Sequence, residues 1–135
     1  MPTIHKFEDL KIWQKARILG VKVYKLTLQK PILDDFRFRD QMRGSAGSIM
    51  DNIAEGFERE SKLEFVNSLT IAKGEIGELK SQLYRGLDIQ YFSIEIFTEL
   101  YSLADDLTKM VTTLIRYLNK SSIKGQKFKN RRQNA

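Results

Sequence analysis

One stretch of the chain places an apolar residue every four and then every three positions without a break. Such spacing is typical of a long α-helix that buries one stripe of its surface. Ser61 stands just before this stretch with Glu64 three residues later, which is the capping-box pattern of a helix start. The sequence therefore predicts that one helix ends near Arg59 and that the next begins at Ser61. The stripe of this second helix comprises Phe65, Leu69, Ala72, Ile76, Leu79, Leu83 and Leu87.

Two helices are predicted upstream of this one. The first ends before Pro31, because proline lacks a backbone donor and disfavours a helical residue before it. The second begins at Asp34 or Asp35, since either side chain can cap it. Their apolar stripes are Ile12, Ala16, Leu19, Val23 and Leu26 in the first helix, and Phe38, Met42, Ser45 or Ala46, Ile49, Ile53 and Gly56 in the second.

Residues 44–48 read Gly-Ser-Ala-Gly-Ser and leave two interpretations of the second helix. They can form a flexible loop that breaks it, because two glycines cost about 2 kcal/mol relative to alanine in a helix interior. The apolar stripe, however, keeps the same phase before and after the segment. We therefore expect a continuous helix in which small residues allow close approach of a neighbour.

The last helix is capped by Ser93 and carries two parallel apolar stripes. One stripe suffices to close a monomeric bundle, so the second indicates contact with another subunit. Deep burial inside one thick bundle is the alternative. The stripes are Phe97, Leu100, Ala104, Leu107, Val111, Leu114 and Leu118 in the first, and Ile96, Leu103, Met110 and Tyr117 in the second.

These helices predict an all-α, antiparallel up-down-up-down four-helix bundle over residues 1–118. Residues 119–135 carry six basic residues and no acidic residue, so this segment alone matches the net charge of +6. It is too poor in apolar residues to offset its ordering entropy, and we expect a disordered basic tail. Its basic residues are Lys120, Lys124, Lys127, Lys129, Arg131 and Arg132.

Most enzyme signatures are missing from the sequence. The chain has no cysteine, and its one histidine, His5, lies outside the predicted helices, so we expect no thiolate or histidine-based catalysis. Asp51, Glu55, Glu75 and Glu78 could crowd around a hard cation, but surface or capping roles fit them better. The sequence therefore predicts a non-enzymatic protein without cofactor or metal.

No apolar run approaches the roughly 20 residues of a membrane span, and no signal peptide is evident at the N-terminus. The absence of cysteine is also typical of intracellular proteins. We expect a soluble, cytoplasmic protein with no membrane partner.

Basic residues outside the tail indicate a nucleic-acid surface. Lysines line one side of the first helix, and two arginines open the second helix beside Phe36 and Phe38. Such charges contact phosphates without reading bases, and aromatic rings can stack on unpaired bases. The alternative places both phenylalanines in the core and leaves the arginines solvated or paired with Asp34, Asp35 and Asp40. The candidates are Lys11, Lys15, Lys22, Lys25, Arg37 and Arg39, together with the basic residues of the tail.

A polar set lies on one side of the second helix and continues past its end. Arg43, Asn52, Glu55 and Arg59 recur at intervals near multiples of three and four. They indicate a buried network that fixes helix register or part of a subunit interface, with a ligand site as a third interpretation. The full set of structural or interface candidates is Arg43, Asn52, Glu55, Gly56, Arg59, Ser61 and Glu64.

Several blocks of the sequence resemble the four-helix bundle proteins, also called ribosomal 23S RNA intervening-sequence proteins. The block Asn-Ile-Ala-Glu-Gly at residues 52–56 is the most specific. The resemblance implies an antiparallel bundle that assembles as a homopentameric ring without enzymatic activity. It extends to the accessory protein of diversity-generating retroelements, a basic pentamer that binds nucleic acid and a reverse transcriptase. The blocks are residues 7–16, 24–27, 41–43, 48–49, 52–56 and 71–79, with Arg59, Ser61, Glu64 and Phe65.

The sequence departs from the family pattern at three places. Members often read Phe-Gly-Leu where this chain has residues 36–38, Phe-Arg-Phe. A usual Arg-Arg is Met42-Arg43 here, and a usual Gly-Arg is Glu58-Arg59. These changes move charge, so a nucleic-acid surface need not lie where a relative has it.

The function predicted from the sequence is a homo-oligomer, pentameric by resemblance, that binds nucleic acid, with RNA favoured over DNA, through basic surfaces without reading the base sequence. A ring that recruits a protein partner and has no nucleic-acid role is the alternative. A helical ribonuclease of the toxin type is a weaker rival, because its site places Arg a few residues before His on one helix and no predicted helix here contains His.

Overall fold

A computed structural model describes residues 4–120 of the chain. Its elements are two short 3-10 helices, Phe7–Asp9 and Ile32–Asp34, and four α-helices, α1 (Lys11–Thr27), α2 (Phe36–Glu58), α3 (Lys62–Asp88) and α4 (Ile94–Lys120). The predicted tail begins at residue 119, but Asn119 and Lys120 belong to α4. The rest of the tail prediction concerns residues 121–135, which lie outside the described range.

The helices pack in chain order and close on themselves. α2 packs against α1 and α3, and α4 packs against α3 and α1. This arrangement confirms the antiparallel up-down-up-down four-helix bundle. No helix within residues 4–120 is long and apolar enough to cross a membrane.

The predicted apolar stripes form the core. Leu19, Met42, Ile76 and Leu107 are 0% exposed, one from each helix. Burial of such side chains stabilises a bundle by about 1.5–3 kcal/mol each. The second stripe of α4 is only partly covered, since Ile96, Leu103 and Met110 are half-buried and Tyr117 is 39% exposed.

Side chains cap the helices where the sequence predicts. The Ser61 hydroxyl accepts a hydrogen bond from the backbone N–H of Glu64 at 3.3 Å, and the Ser93 hydroxyl accepts one from Ile96 at 3.2 Å. The capping box at Ser61 departs from the expected pattern in its second half. The Glu64 carboxylate lies 3.7 Å from Nη1 of Arg59, and this ion pair ties the end of α2 to the start of α3.

α2 runs without interruption through residues 44–48, which confirms the continuous helix. The two glycines of this segment are not points of close approach, however, although Ser45 and Ala46 between them are buried. A Cβ added at Gly44 or Gly47 would meet no atom within 4 Å, whereas one added at Gly56 would lie 2.4 Å from Cβ of Ser68 on α3. Of these three glycines, only Gly56 lies where α3 packs directly against the α2 backbone.

Asp35 caps α2 and also holds the α3–α4 connection. Its carboxylate accepts a hydrogen bond from the backbone N–H of Phe38 at 3.1 Å and another from the Tyr91 hydroxyl at 2.6 Å. The Tyr91 bond lowers the pKa of Asp35 most, and the Phe38 N–H lowers it further. The same bond raises the pKa of Tyr91 above its ordinary value of 10.0.

We expect Tyr91→Phe to lower the thermal midpoint at neutral pH. The pKa of Asp35 is lower in the folded protein than its ordinary value of 3.8. The bond therefore stabilises the fold fully above pH 3.8, and this stabilisation is lost as pH falls through the folded-state pKa. The midpoints of the two proteins should therefore converge below pH 3.8 when measured by circular dichroism across a pH series. If the difference between the two thermal midpoints were the same below pH 3.8 as at neutral pH, this role of the Asp35–Tyr91 bond would be contradicted.

Candidate nucleic-acid interface

A groove of about 490 Å³ lies between α1 and α2. Arg17, Lys25 and Arg43 line it, and no carboxylate does. The aromatic ring of Tyr24 also faces it, and Tyr24 is 51% exposed. We call this surface the α1–α2 groove; its other lining residues are Gly20, Val21, Ala46, Gly47 and Met50.

Arg43 is held in the α1–α2 groove by contacts with α1. Its Nε donates to the Thr27 hydroxyl at 2.8 Å, and its guanidinium carbon lies 4.3 Å from the centre of the Tyr24 ring. The Thr27 hydroxyl in turn donates to the carbonyl of Tyr24 at 2.7 Å. Such a fixed guanidinium is suited to phosphate, because its donors match two phosphate oxygens at once.

Helical spacing explains how α1 builds its side of the groove. Arg17, Val21 and Tyr24 are separated by four and three positions, so they share one face of the helix. Gly20 lies beside them, where an added Cβ would be 3.5 Å from Sδ of Met50 on α2. Arg17 is not among the candidates predicted from the sequence; its spacing of seven from Tyr24 was the signal that could have identified it.

The predicted lysines of α1 lie on one side of the helix but differ in their partners, and Lys22 lines a shallow surface of α1 together with Arg17 and Lys25. Lys15 lies 3.8 Å from the Asp106 carboxylate and Lys22 lies 2.8 Å from the Glu99 carboxylate, both on α4. These ion pairs partly compensate the two charges. Lys25 lines the α1–α2 groove, whereas Lys11 lines a separate apolar cleft between α1 and α4.

Of the two predicted arginines at the start of α2, Arg39 is engaged in contacts within the chain and Arg37 is exposed. Nε of Arg39 lies 2.9 Å from the Asp40 carboxylate, and Nη1 donates to the carbonyl of Leu33 at 3.2 Å. The alternative placed both phenylalanines in the core, which is confirmed for Phe38 at 3% exposed and wrong for Phe36 at 65% exposed. Its pairing of an arginine with Asp40 is confirmed for Arg39. Arg37 is exposed. Of the tail residues, Lys120 is exposed at the end of α4, and Lys124, Lys127, Lys129, Arg131 and Arg132 lie outside the described residues.

The polar set on α2 does not form one buried network. Nδ2 of Asn52 donates to the carbonyl of Ser48 at 2.8 Å, within its own helix. Glu55 and Arg59 are exposed and lie 3.5 Å apart, so the buried-network interpretation is wrong for both. Arg43 lies apart from them in the α1–α2 groove, 12 residues before Glu55 in the sequence. The subunit-interface interpretation stays a prediction.

The four carboxylates considered for a hard cation are spread over the bundle. Asp51 and Glu55 are exposed on α2, whereas Glu75 and Glu78 line a groove between α2 and α3. Within residues 4–120, no group of three or more His, Cys, Asp or Glu side chains could hold a metal ion.

Comparisons with known proteins bear on the whole bundle. The chain is similar in fold to a crystal structure of a protein of unknown function from the S23 ribosomal protein family of Bacteroides thetaiotaomicron. The two share 23% sequence identity with a TM-score of 0.71, covering 77% of this chain and 97% of that chain. No curated protein matches this chain. A family model described as 23S rRNA-intervening sequence protein matches residues 8–113, so the chain belongs to the family of 23S rRNA-intervening sequence proteins.

Proposed function

We propose that this protein is a non-enzymatic, homo-oligomeric RNA-binding protein that holds the phosphate backbone in the α1–α2 groove. The observation that carries the proposal is the lining of that groove. Three cationic side chains meet there around an exposed tyrosine, with no carboxylate among the lining residues. Uncompensated cations favour phosphate binding, whereas cations in ion pairs contribute less.

The dimensions of the groove suit a nucleic-acid strand. Arg17 and Lys25 are eight residues apart on α1, which is about 12 Å along the helix axis at 1.5 Å per residue. Cations at this separation can contact different phosphates of one strand. The exposed part of the Tyr24 ring offers a stacking surface for an unpaired base. Binding of this kind depends on the backbone and does not read the base sequence.

RNA is our choice of ligand because of the family. The name of the matching family model connects its members with intervening sequences of 23S rRNA. The groove chemistry alone fits RNA and single-stranded DNA equally well, since both present phosphates and unpaired bases.

Oligomerisation is proposed from the partly covered stripe on α4. Ile96, Leu103, Met110 and Tyr117 recur every seven residues and remain partly exposed in the single chain. Contact with another copy would remove this apolar surface from water. The number five comes from the family resemblance, and sedimentation at micromolar protein concentration tests it.

Fluorescence anisotropy of a labelled single-stranded RNA and a labelled hairpin RNA tests the proposed function. For a chain ending at Lys120, with three groove contacts, we expect affinity to fall roughly 20-fold between 50 and 200 mM salt, because for single strands the logarithm of affinity falls by about 0.7 per contact for each tenfold rise in salt concentration. A chain ending at Lys120 should bind more weakly than the full chain but should still bind. No binding of either RNA at 50 mM salt would contradict the proposal, and an intact oligomer in that case would favour a ring that recruits a protein.

A further inference from the structure

The side of α1 that faces away from the core carries large apolar side chains. Ile18, Val21 and Leu28 are 52%, 49% and 48% exposed. Leu28 directly follows the last residue of α1 and keeps a helical backbone, so the three residues share one face of the helix. From Ile18 to Leu28 the helix rises about 15 Å, at about 1.5 Å per residue. We call this surface the α1 outer face.

Phosphate binding does not account for these three side chains. Binding to a nucleic-acid backbone uses cations and stacking rings, and Val21 is the one residue of the three that lines the α1–α2 groove. Their spacing of three and seven residues is instead that of the apolar seam along which two helices pack. The α1 outer face therefore has the form of a seam for another helix.

The charges beside the seam select an acidic partner. α1 has no acidic residue. Its basic residues are Lys11, Lys15, Arg17, Lys22 and Lys25. Lys15 and Lys22 are compensated by carboxylates of α4. Arg17 and Lys25 are exposed, line the α1–α2 groove and have no ion pair within residues 4–120. Acidic side chains on that edge of a partner helix would complement them.

Two other occupants fit this surface less well. A second copy that used the same face would bring the cations of two α1 helices together, and like charges across an interface oppose association. An anionic membrane laid on the face would meet Glu99 and Asp106, which are exposed on α4 beside α1. A single helix can lie with its acidic edge toward Arg17 and Lys25, away from those carboxylates.

We propose that the α1 outer face binds an amphipathic helix of another protein. The apolar residues of that helix cover Ile18, Val21 and Leu28, and its acidic residues pair with Arg17 and Lys25. Because the proposed RNA site uses the same two cations, we expect the helix and RNA to compete. RNA binding does not need Ile18 or Leu28, however, so either proposal can fail while the other holds.

Fluorescence anisotropy of a labelled synthetic peptide, titrated with the full chain in the absence of RNA, tests this interface. The probe is a peptide of several heptads with Leu at positions a and d and Glu at positions e and g. We expect it to bind saturably. The same peptide with Lys in place of Glu, or with Ala in place of Leu, should bind about tenfold or more weakly, because each lacks one of the two complementary features.

The double variant Ile18→Ser with Leu28→Ser separates this interface from the RNA site. It should weaken binding of the glutamate peptide roughly tenfold, since two half-exposed apolar side chains no longer become buried. Its affinity for RNA should be unchanged, because neither residue lines the α1–α2 groove. Ile71→Ser is the matched control: Ile71 is 53% exposed on α3, and its loss should leave the peptide affinity unchanged.

Four results would overturn the proposal. They are the absence of saturable binding of the glutamate peptide, equally tight binding of the lysine peptide, undiminished peptide binding by the double variant, or a lower sedimentation mass of that variant. The last result would assign the α1 outer face to a second copy. Binding to phosphatidylserine vesicles in place of the peptide would assign it to a membrane. Thermal unfolding of each variant before titration separates lost binding from lost folding.

Discussion

Gly56→Ala should destabilise the bundle by about 1–3 kcal/mol, as overpacking of a close contact does. The new Cβ would lie 2.4 Å from Cβ and 2.8 Å from Oγ of Ser68, and 3.3 Å from the Phe65 ring. Cβ of Ser68 is fixed to the α3 backbone, so α3 itself must move to relieve the contact. Alanine is favoured over glycine in a helix by roughly 1 kcal/mol, which offsets only part of the cost of moving α3.

Gly44→Ala is the matched control for that substitution. Both glycines lie in α2, but a Cβ at Gly44 meets no atom within 4 Å. We therefore expect Gly44→Ala to stabilise the protein by about 0.5–1 kcal/mol. Urea unfolding followed by circular dichroism measures both effects, and a shift of the two midpoints in the same direction would contradict the close approach at Gly56.

Sequence patterns predicted the helices well because helix formation depends on near neighbours. The four-three spacing marked the buried stripes, and local hydrogen bonds placed the caps at Asp35, Ser61 and Ser93. The same spacing kept α2 continuous across its two glycines. The family resemblance was confirmed by the match over residues 8–113.

The site was harder to predict because it depends on contacts between helices. Lysine spacing on α1 does not reveal that Lys15 and Lys22 lie opposite Asp106 and Glu99 of α4. Those carboxylates are more than 75 residues away in sequence from their partners. Arg43 was placed with Glu55 and Arg59 on account of its helix, although its contacts are with Thr27 and Tyr24 on α1.

The largest expected functional effect comes from removing two cations of the α1–α2 groove. The double variant Arg17→Gln with Lys25→Gln should lower RNA affinity roughly 60-fold at 50 mM salt. At that salt concentration each phosphate contact raises the affinity about eightfold, and the variant loses two contacts. The dependence of log affinity on log salt should become shallower by about 1.4 for the same reason. Both side chains are exposed, so folding should be unaffected.

The comparison of this variant with Lys15→Gln plus Lys22→Gln tests the central claim most directly. Both double variants remove two charges from α1, but the second pair is already engaged with α4 at 3.8 and 2.8 Å. Exposed ion pairs of this kind contribute at most about 1 kcal/mol each to stability, so the control should fold. In one anisotropy titration with single-stranded RNA at 50 mM salt, we expect a large loss of affinity for the groove variant and little change for the control. Equal losses in the two variants, or a larger loss in the control, would contradict RNA binding in the α1–α2 groove.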